Sequence, residues 1–328
     1  MSLALKAIKY QAKFLQIALI CVAGCLLVIS CSGQKKPLNE TELPDLNIRH
    51  NDYSINYLEF PERWIVGTNP VSIEPDFLHD SQGIIITSLN GRYYYHPWAI
   101  TNKALEYISS YHLTSDSRYL PLIYRYAQKI SELGHRAEGS IWLPYQMDVL
   151  LNWNSNMILL PPWYSGLAEG MALSFMSRAY EITGDSYFKA KADSFFVAFT
   201  QIDSSKNIWV TMVDSGGYFW IEEYPFRPPN HVLNGFITTI CCIYDYYLIN
   251  HDKVSGKVIR GGITTIANYC HLYRNPGGVS YYDLLFKPQY PNYHGLHINQ
   301  FRQLTKITGD SSFSAFADSL YSDYIPTD

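Results

Sequence analysis

The sequence predicts a mainly α-helical fold, an (α/α) toroid of about four helical hairpins with a short β-hairpin region on its N-terminal side. Two observations carry that prediction. The segments "ITGDSYFKAKADSFF", from Ile182, and "ITGDSSFSAFADSLY", from Ile307, are near copies: each has a Thr-Gly helix stop, an Asp or Ser N-cap, and a new helix with matching residues at Ala190/Asp193 and Ala315/Asp318. The second observation is spacing. The first helices of four such pairs begin near Trp98, Gly166, Asn234 and Leu296, separated by 68, 68 and 62 residues. In a ring of paired helices the loops entering each first helix share one rim. That would bring "HPWAITN", "PPWYSGLAEG", "PPNHVLNG" and "NYHGLHINQ" together.

Residues 1–31 read as an export leader. Lys6, Lys9 and Lys13 precede an apolar run broken only by Gln16, and the run ends at Cys31, where the chain turns polar. The ending "LVISC" resembles a lipobox, which makes Cys31 the expected lipidation site and the cell envelope the expected location, with membrane attachment through the lipid. Residues 32–50 read as a tether, polar and without periodicity. Residues 51–97 read as β-rich, with a hairpin across Asn90-Gly91 in "GIIITSLNGRYYYHP". Residues 98–328 are the helical domain.

Composition narrows the function. The 328-residue chain is 47% hydrophobic and 16% charged, with a net charge of -4, so it lacks the basic face that a nucleic acid would demand. Its 28 Tyr, 15 Phe and 7 Trp supply flat amphipathic rings of the kind that cover sugar faces. Outside the leader lie three cysteines, Cys241, Cys242 and Cys270, in no disulfide or metal-ligand pattern. There is no P-loop, dinucleotide fingerprint, HExxH or GxSxG motif.

The stretch "EEYPFRPPNHVLNG", residues 222–235, concentrates acids, an arginine, a histidine and asparagines around three prolines that exclude a helix, directly before an apolar helical run. It reads as a rigid polar loop docked on a buried helix. Together with "PPWYSGLAEG", "YYDLL" and "NYHGLHINQF", in that order, it resembles the C-terminal catalytic domain of the D-glucuronyl C5-epimerase family. The resemblance implies a uronate C5-epimerase acting on a polysaccharide, with a possible homodimer. It carries Glu223, Tyr224, Tyr282 and Tyr293 over as the proton-transfer set. Arg227, His231, Asn234, His294 and His297 become candidates for gripping the carboxylate and orienting the ring, and Trp163 and Tyr164 for stacking. Removing a proton next to a carboxylate needs an acid, a base and fixed donors for the developing charge, and neither metal nor redox cofactor.

The chain departs from the family in two places. Animal members read "YDLRH" where this chain has "YDLLF", with Leu285 and Phe286 in place of the charged pair. The family's "SGMAQG" is "SGLAEG" here, with Glu169 for glutamine. The first change removes charge beside the implied site; the second adds an acid that would disfavour a polyanion. Alternative readings are a polyuronate lyase, a glycoside hydrolase, or a surface glycan-binding lipoprotein without catalysis.

Overall fold

Four pairs of helices follow one another along the chain. They are α1 (Pro97–Thr114) with α2 (Tyr119–Leu133), α3 (Gly166–Thr183) with α4 (Ser186–Phe196), α5 (Leu233–Asn250) with α6 (Lys253–Tyr269), and α7 (Pro291–Thr308) with α8 (Ser311–Asp323). This is a computed structural model that describes residues 46–74, 78–151 and 157–326, within the unit Glu40–Asp328. The expected leader, Cys31 and the expected tether up to residue 45 lie outside the described residues. Among the described residues no helix is long and apolar enough to cross a membrane.

The helix ends follow from local chemistry. Pro97 and Pro291 occupy first-turn positions, where the missing N–H costs nothing. Gly184 (φ 68°) and Gly309 (φ 75°) end α3 and α7 in the left-handed conformation. Asp185, Asp252 and Asp310 then cap the partner helices by accepting backbone N–H groups. Within each pair the two helices pack together, and the first helices α1, α3, α5 and α7 pack in succession as an inner row. Thirteen of the eighteen residues of α3 and the first fourteen of α5 are buried, whereas α4 and α8 bury one face each. Gly170 lets α3 approach α5, because a Cβ there would stand 2.8 Å from Thr239 Cγ2.

Short antiparallel hairpins connect the helices: β1 (Thr87–Leu89) with β2 (Arg92–Tyr94), β3 (His135–Ala137) with β4 (Ser140–Trp142), β5 (Val149–Leu150) with β6 (Ile158–Leu159), and β7 (Thr211–Val213) with β8 (Phe219–Ile221). The first turns at Asn90-Gly91, both with positive φ, as the sequence indicates. Three expectations need correction. The rest of 51–97 is largely irregular backbone, because its apolar residues dock singly on the helices instead of pairing with a strand. The tether does not extend to residue 50: Leu46 and Ile48 are core residues, and Ile48 Cδ1 would stand 2.6 Å from a Cβ at Gly261. Helix α7 begins at Pro291, not near Leu296, so Tyr293 and His294 belong to its first turn.

The gap between α7 and α1 is filled by residues 58–66. Arg63 donates to Glu181 through Nη1 (2.6 Å) and Nη2 (2.8 Å), and Trp64 Nε1 donates to Thr238 Oγ1 at 3.1 Å. Gln303 Nε2 donates to the Glu62 carbonyl at 3.1 Å. Arg178 anchors the strap from below: its guanidinium donates to the carbonyls of Trp64 and Ile65 and to Asp245 Oδ2, which Ser174 also reaches at 2.6 Å. Arg178 and Asp245 are each 1% exposed, so removing Arg178 leaves a buried carboxylate whose remaining cation, Arg63 at 3.9 Å, is already bonded to Glu181. Arg178→Leu is expected to cost about 3–5 kcal/mol of stability and to expose residues 58–66 to protease. Urea unfolding and limited proteolysis check this; an unchanged midpoint and an intact strap would refute it.

Candidate active site

The loop that follows β8 is fixed by Glu222. Its carboxylate is wholly buried and accepts from His231 twice, from the backbone N–H at 3.1 Å and from Nδ1 at 2.6 Å. Its backbone N–H donates to the Val210 carbonyl, and its carbonyl accepts from Gly166 N at 2.9 Å, at the start of α3. Loop 222–233 is also zipped to loop 280–290: Leu233 N donates to the Tyr282 carbonyl (3.0 Å) and Leu284 N to that of Asn230 (2.9 Å), while within the second loop Tyr282 N donates to the Pro288 carbonyl (2.9 Å). These bonds bring Tyr282 beside Glu223 across 59 positions of sequence.

Glu223, Tyr224, Tyr282 and Tyr293 therefore converge. The Tyr282 hydroxyl donates to Glu223 Oε1 at 3.5 Å, and the Tyr282 and Tyr293 rings meet edge to face at 4.7 Å. Glu223 is on the wall of a cavity of about 790 Å³, and Tyr224 and Tyr293 also border a second one of about 340 Å³ that holds Tyr282. Glu223 Oε2 and Asn234 Oδ1, both buried at the larger cavity, have no partner among the described residues. Burial pushes the Glu223 carboxyl up to about 7, against the opposing pull of the Tyr224 and Tyr282 hydroxyls. Tyr224 is raised by the Glu223 charge and by burial; Tyr282 and Tyr293 are raised by burial first and Glu223 second. The cluster thus pairs a carboxyl able to exchange a proton near neutrality with three phenols that hold theirs.

The other candidates divide. Trp163 lines the cavity, stacked on Tyr145 at 3.9 Å and 15°, with Nε1 donating to the Met147 carbonyl. Asn234 lines it from the first turn of α5. Tyr164 faces away, into the core, bonded to His135 Nδ1 at 3.0 Å. Arg227 is not brought to the cavity: it is exposed, its guanidinium 5.1 Å above the Trp209 ring. His231 is occupied with Glu222 and stacks on Trp220 at 3.9 Å. His294 and His297 are buried and both reach Ser280, at 2.9 and 2.8 Å, with His294 Nε2 directed at the Leu320 and Tyr324 carbonyls. Burial holds His297 down at about 3, hence neutral. These two histidines fix the backbone leading to Tyr282 and do not face the larger cavity.

The two departures from the family pattern also find their places. Leu285 is 37% exposed, and neither it nor Phe286 lines either cavity, so the missing charges are not in the walls. Glu169 is buried behind the wall and not in it.

Sequence reasoning missed several wall residues. His96 caps α1 and meets the Tyr145 ring edge at 4.9 Å, and burial lowers its basicity. Thr238 Oγ1 receives Trp64 Nε1 and Gln300 Nε2, so its own hydrogen is its remaining bonding capacity. Lys306, Asn102, Asp148 and the strap residues 61–66 also line the larger cavity. The loop-at-one-rim pattern pointed to His96 and Trp98; no motif marked Tyr145 or the strap.

Gly235 supports the cluster from underneath, because a Cβ there would collide with Glu223 Oε2. Alanine ordinarily stabilises a helix over glycine by about 1 kcal/mol. Gly235→Ala is nevertheless expected to retain helical circular dichroism while displacing the carboxyl and cutting turnover by roughly a hundredfold, the scale set by misplacing a reacting group by about 1 Å. Unimpaired turnover would show that Glu223 does not need this position.

A family model described as "D-glucuronyl C5-epimerase C-terminus" matches residues 139–322, more than half of the chain. A D-glucuronyl C5-epimerase of Caenorhabditis elegans is 27% identical over 188 residues, 49% of this chain and 29% of that protein. An uncharacterized protein of Methanocaldococcus jannaschii is 28% identical over 152 residues, 46% of this chain and 49% of the other. The chain spans half or less of the length of these curated relatives. In fold it is similar to a sugar epimerase from a ruminal bacterium, with a TM-score of 0.50 at 14% identity, covering 70% of this chain and 59% of that one. With the match extending from the β3–β4 turn through α8, the chain belongs to the D-glucuronyl C5-epimerase C-terminal family.

Proposed function

We propose that this protein is a carbohydrate epimerase that inverts carbon 5 of a uronate residue in a polysaccharide by removing and returning a proton. The observation that carries the reading is the buried Glu223 carboxyl, ringed by Tyr224, Tyr282 and Tyr293 on the wall of a sugar-sized cavity. Glu223 is the base: it is the group of the cluster whose proton affinity lies near working pH. Tyr293 returns a proton; it is raised by burial, so it arrives protonated, and it borders both cavities. Thr238, Asn234 and Lys306 are donors available to the uronate carboxylate and to the charge that builds on it. The Tyr145–Trp163 stack offers a ring face to the sugar.

The direct test is proton NMR in heavy water with glucuronate-containing polysaccharides. Deuterium should enter carbon 5 together with iduronate signals, and a new double bond instead would make the protein a lyase. Tyr293→Phe should lose turnover at least a hundredfold while melting like the wild type. The rate should fall as pH drops below about 7, where Glu223 becomes protonated, and Glu223→Gln should be inactive throughout. A pH-independent rate, or an active Tyr293→Phe, would remove that residue from the mechanism.

The reading extends to location. The leader ending at Cys31 supports a lipid-anchored protein of the cell envelope. Cys31→Ser is expected to leave the membrane fraction; unchanged fractionation would count against the anchor.

A further inference from the structure

Glu169 lies in the first turn of α3, wholly buried, and the chemistry above makes no use of it. Its Oε1 accepts the backbone N–H of Leu143 at 2.6 Å, while Oε2 has no partner among the described residues. Leu143 continues β4 towards Tyr145. Tyr145 is paired with Trp163 by backbone bonds in both directions, 2.8 and 3.4 Å, and by the stack of their rings. Two residues after Trp163, the Ser165 carbonyl accepts Glu169 N at 2.9 Å. Side chain and main chain of this one residue therefore hold both strands of the platform from behind.

We propose that Glu169 is a positioning residue that works as a neutral carboxylic acid, clamping the 143–145 wall so that the Tyr145–Trp163 platform meets its ligand with no negative charge beneath it. The clamp stands on the geometry alone; its benefit to an anionic sugar rests on the function proposed above. An unpartnered oxygen in a dry site is costly to ionise. Burial accordingly pushes the Glu169 carboxyl up to about 8, opposed only by the Leu143 N–H. The acid at this position in the sequence thus adds no charge at pH 7.

The surrounding ionisable groups leave that conclusion intact. Tyr145 and Tyr164 are raised by burial and, further, by the charge Glu169 would carry. On α1, His96 is lowered by burial, and Lys103 is paired with Glu106 at 3.2 Å. On α5, Asp245 is engaged with Arg178, and Cys241 is raised by burial. Glu223 lies beyond Tyr145 and titrates in any variant of Glu169. A carboxyl whose folded-state pKa is raised gives stability that is fully present below its ordinary value and is lost as pH rises through about 8.

Thermal melting and tryptophan emission of the full chain, wild type against Glu169→Gln, test the clamp at pH 5, 7 and 9. Glutamine keeps the acceptor and cannot ionise, so the two proteins should melt together at pH 5. At pH 9 Glu169→Gln should be several degrees more stable, and only the wild type should shift its emission to the red, with a midpoint near 8. Glu169→Leu, lacking the acceptor, should be less stable than Glu169→Gln at every pH. A difference between wild type and Glu169→Gln that is the same at pH 5 and pH 9, or an equal red shift in both, would overturn the proposal. No substrate enters these measurements, so failure to find epimerisation would overturn the functional reading and not this one.

Discussion

The site depends on one buried carboxylate, that of Glu222. It fixes His231 at both its backbone and its ring, in a left-handed conformation (φ 53°) that a non-glycine residue adopts at a cost of about 1–2 kcal/mol. Its own main chain is tied to Val210 on one side and to the start of α3 on the other. Glu223 inherits a position with almost no freedom. The two adjacent acids are both buried and meet opposite conditions. One has its oxygens filled by donors. The other has an oxygen with none among the described residues, and burial raises its proton affinity.

A division of labour follows. The aromatic platform and the helix starts give the cavity its shape, and they come from all four helix pairs. Proton affinity is concentrated where loops 222–233 and 280–290 are zipped together. Several residues with the right chemistry for substrate contact serve that zipper instead: His231, His294 and His297 spend their nitrogens on Glu222, Ser280 and main-chain carbonyls. Those bonds hold the two loops in place and let the tyrosines stand at fixed distances from Glu223.

Most of the helical order was legible in the sequence because capping is local. Thr-Gly-Asp announces its turn whatever surrounds it, and Gly184 and Gly309 behave alike. The cluster of three tyrosines and one acid was legible through motifs in sequence order, and the rim loops through their spacing. What stayed hidden was set by long-range contact. Arg227 carries the right charge beside the right residues, yet the loop turns it outward onto Trp209. Residues 58–66 have no periodicity, and their place is decided by carbonyls that meet Arg178 more than a hundred positions away. The start of α7 slipped because Pro291 initiates a helix that hydrophobic periodicity alone placed several residues later.

The strap has a consequence for assembly. Trp64 and the Glu62 carbonyl join Thr238 and Gln303, 174 and 241 positions downstream. Each helix pair can form from neighbouring sequence, but the ring cannot close until residues 58–66, ahead of α1, meet α7 near the other end of the described chain. Contacts of such separation carry the largest loop-closure entropy and form late. A nascent or partly unfolded molecule would hold its helices before it held a cavity, and competence to bind would mark the completion of folding.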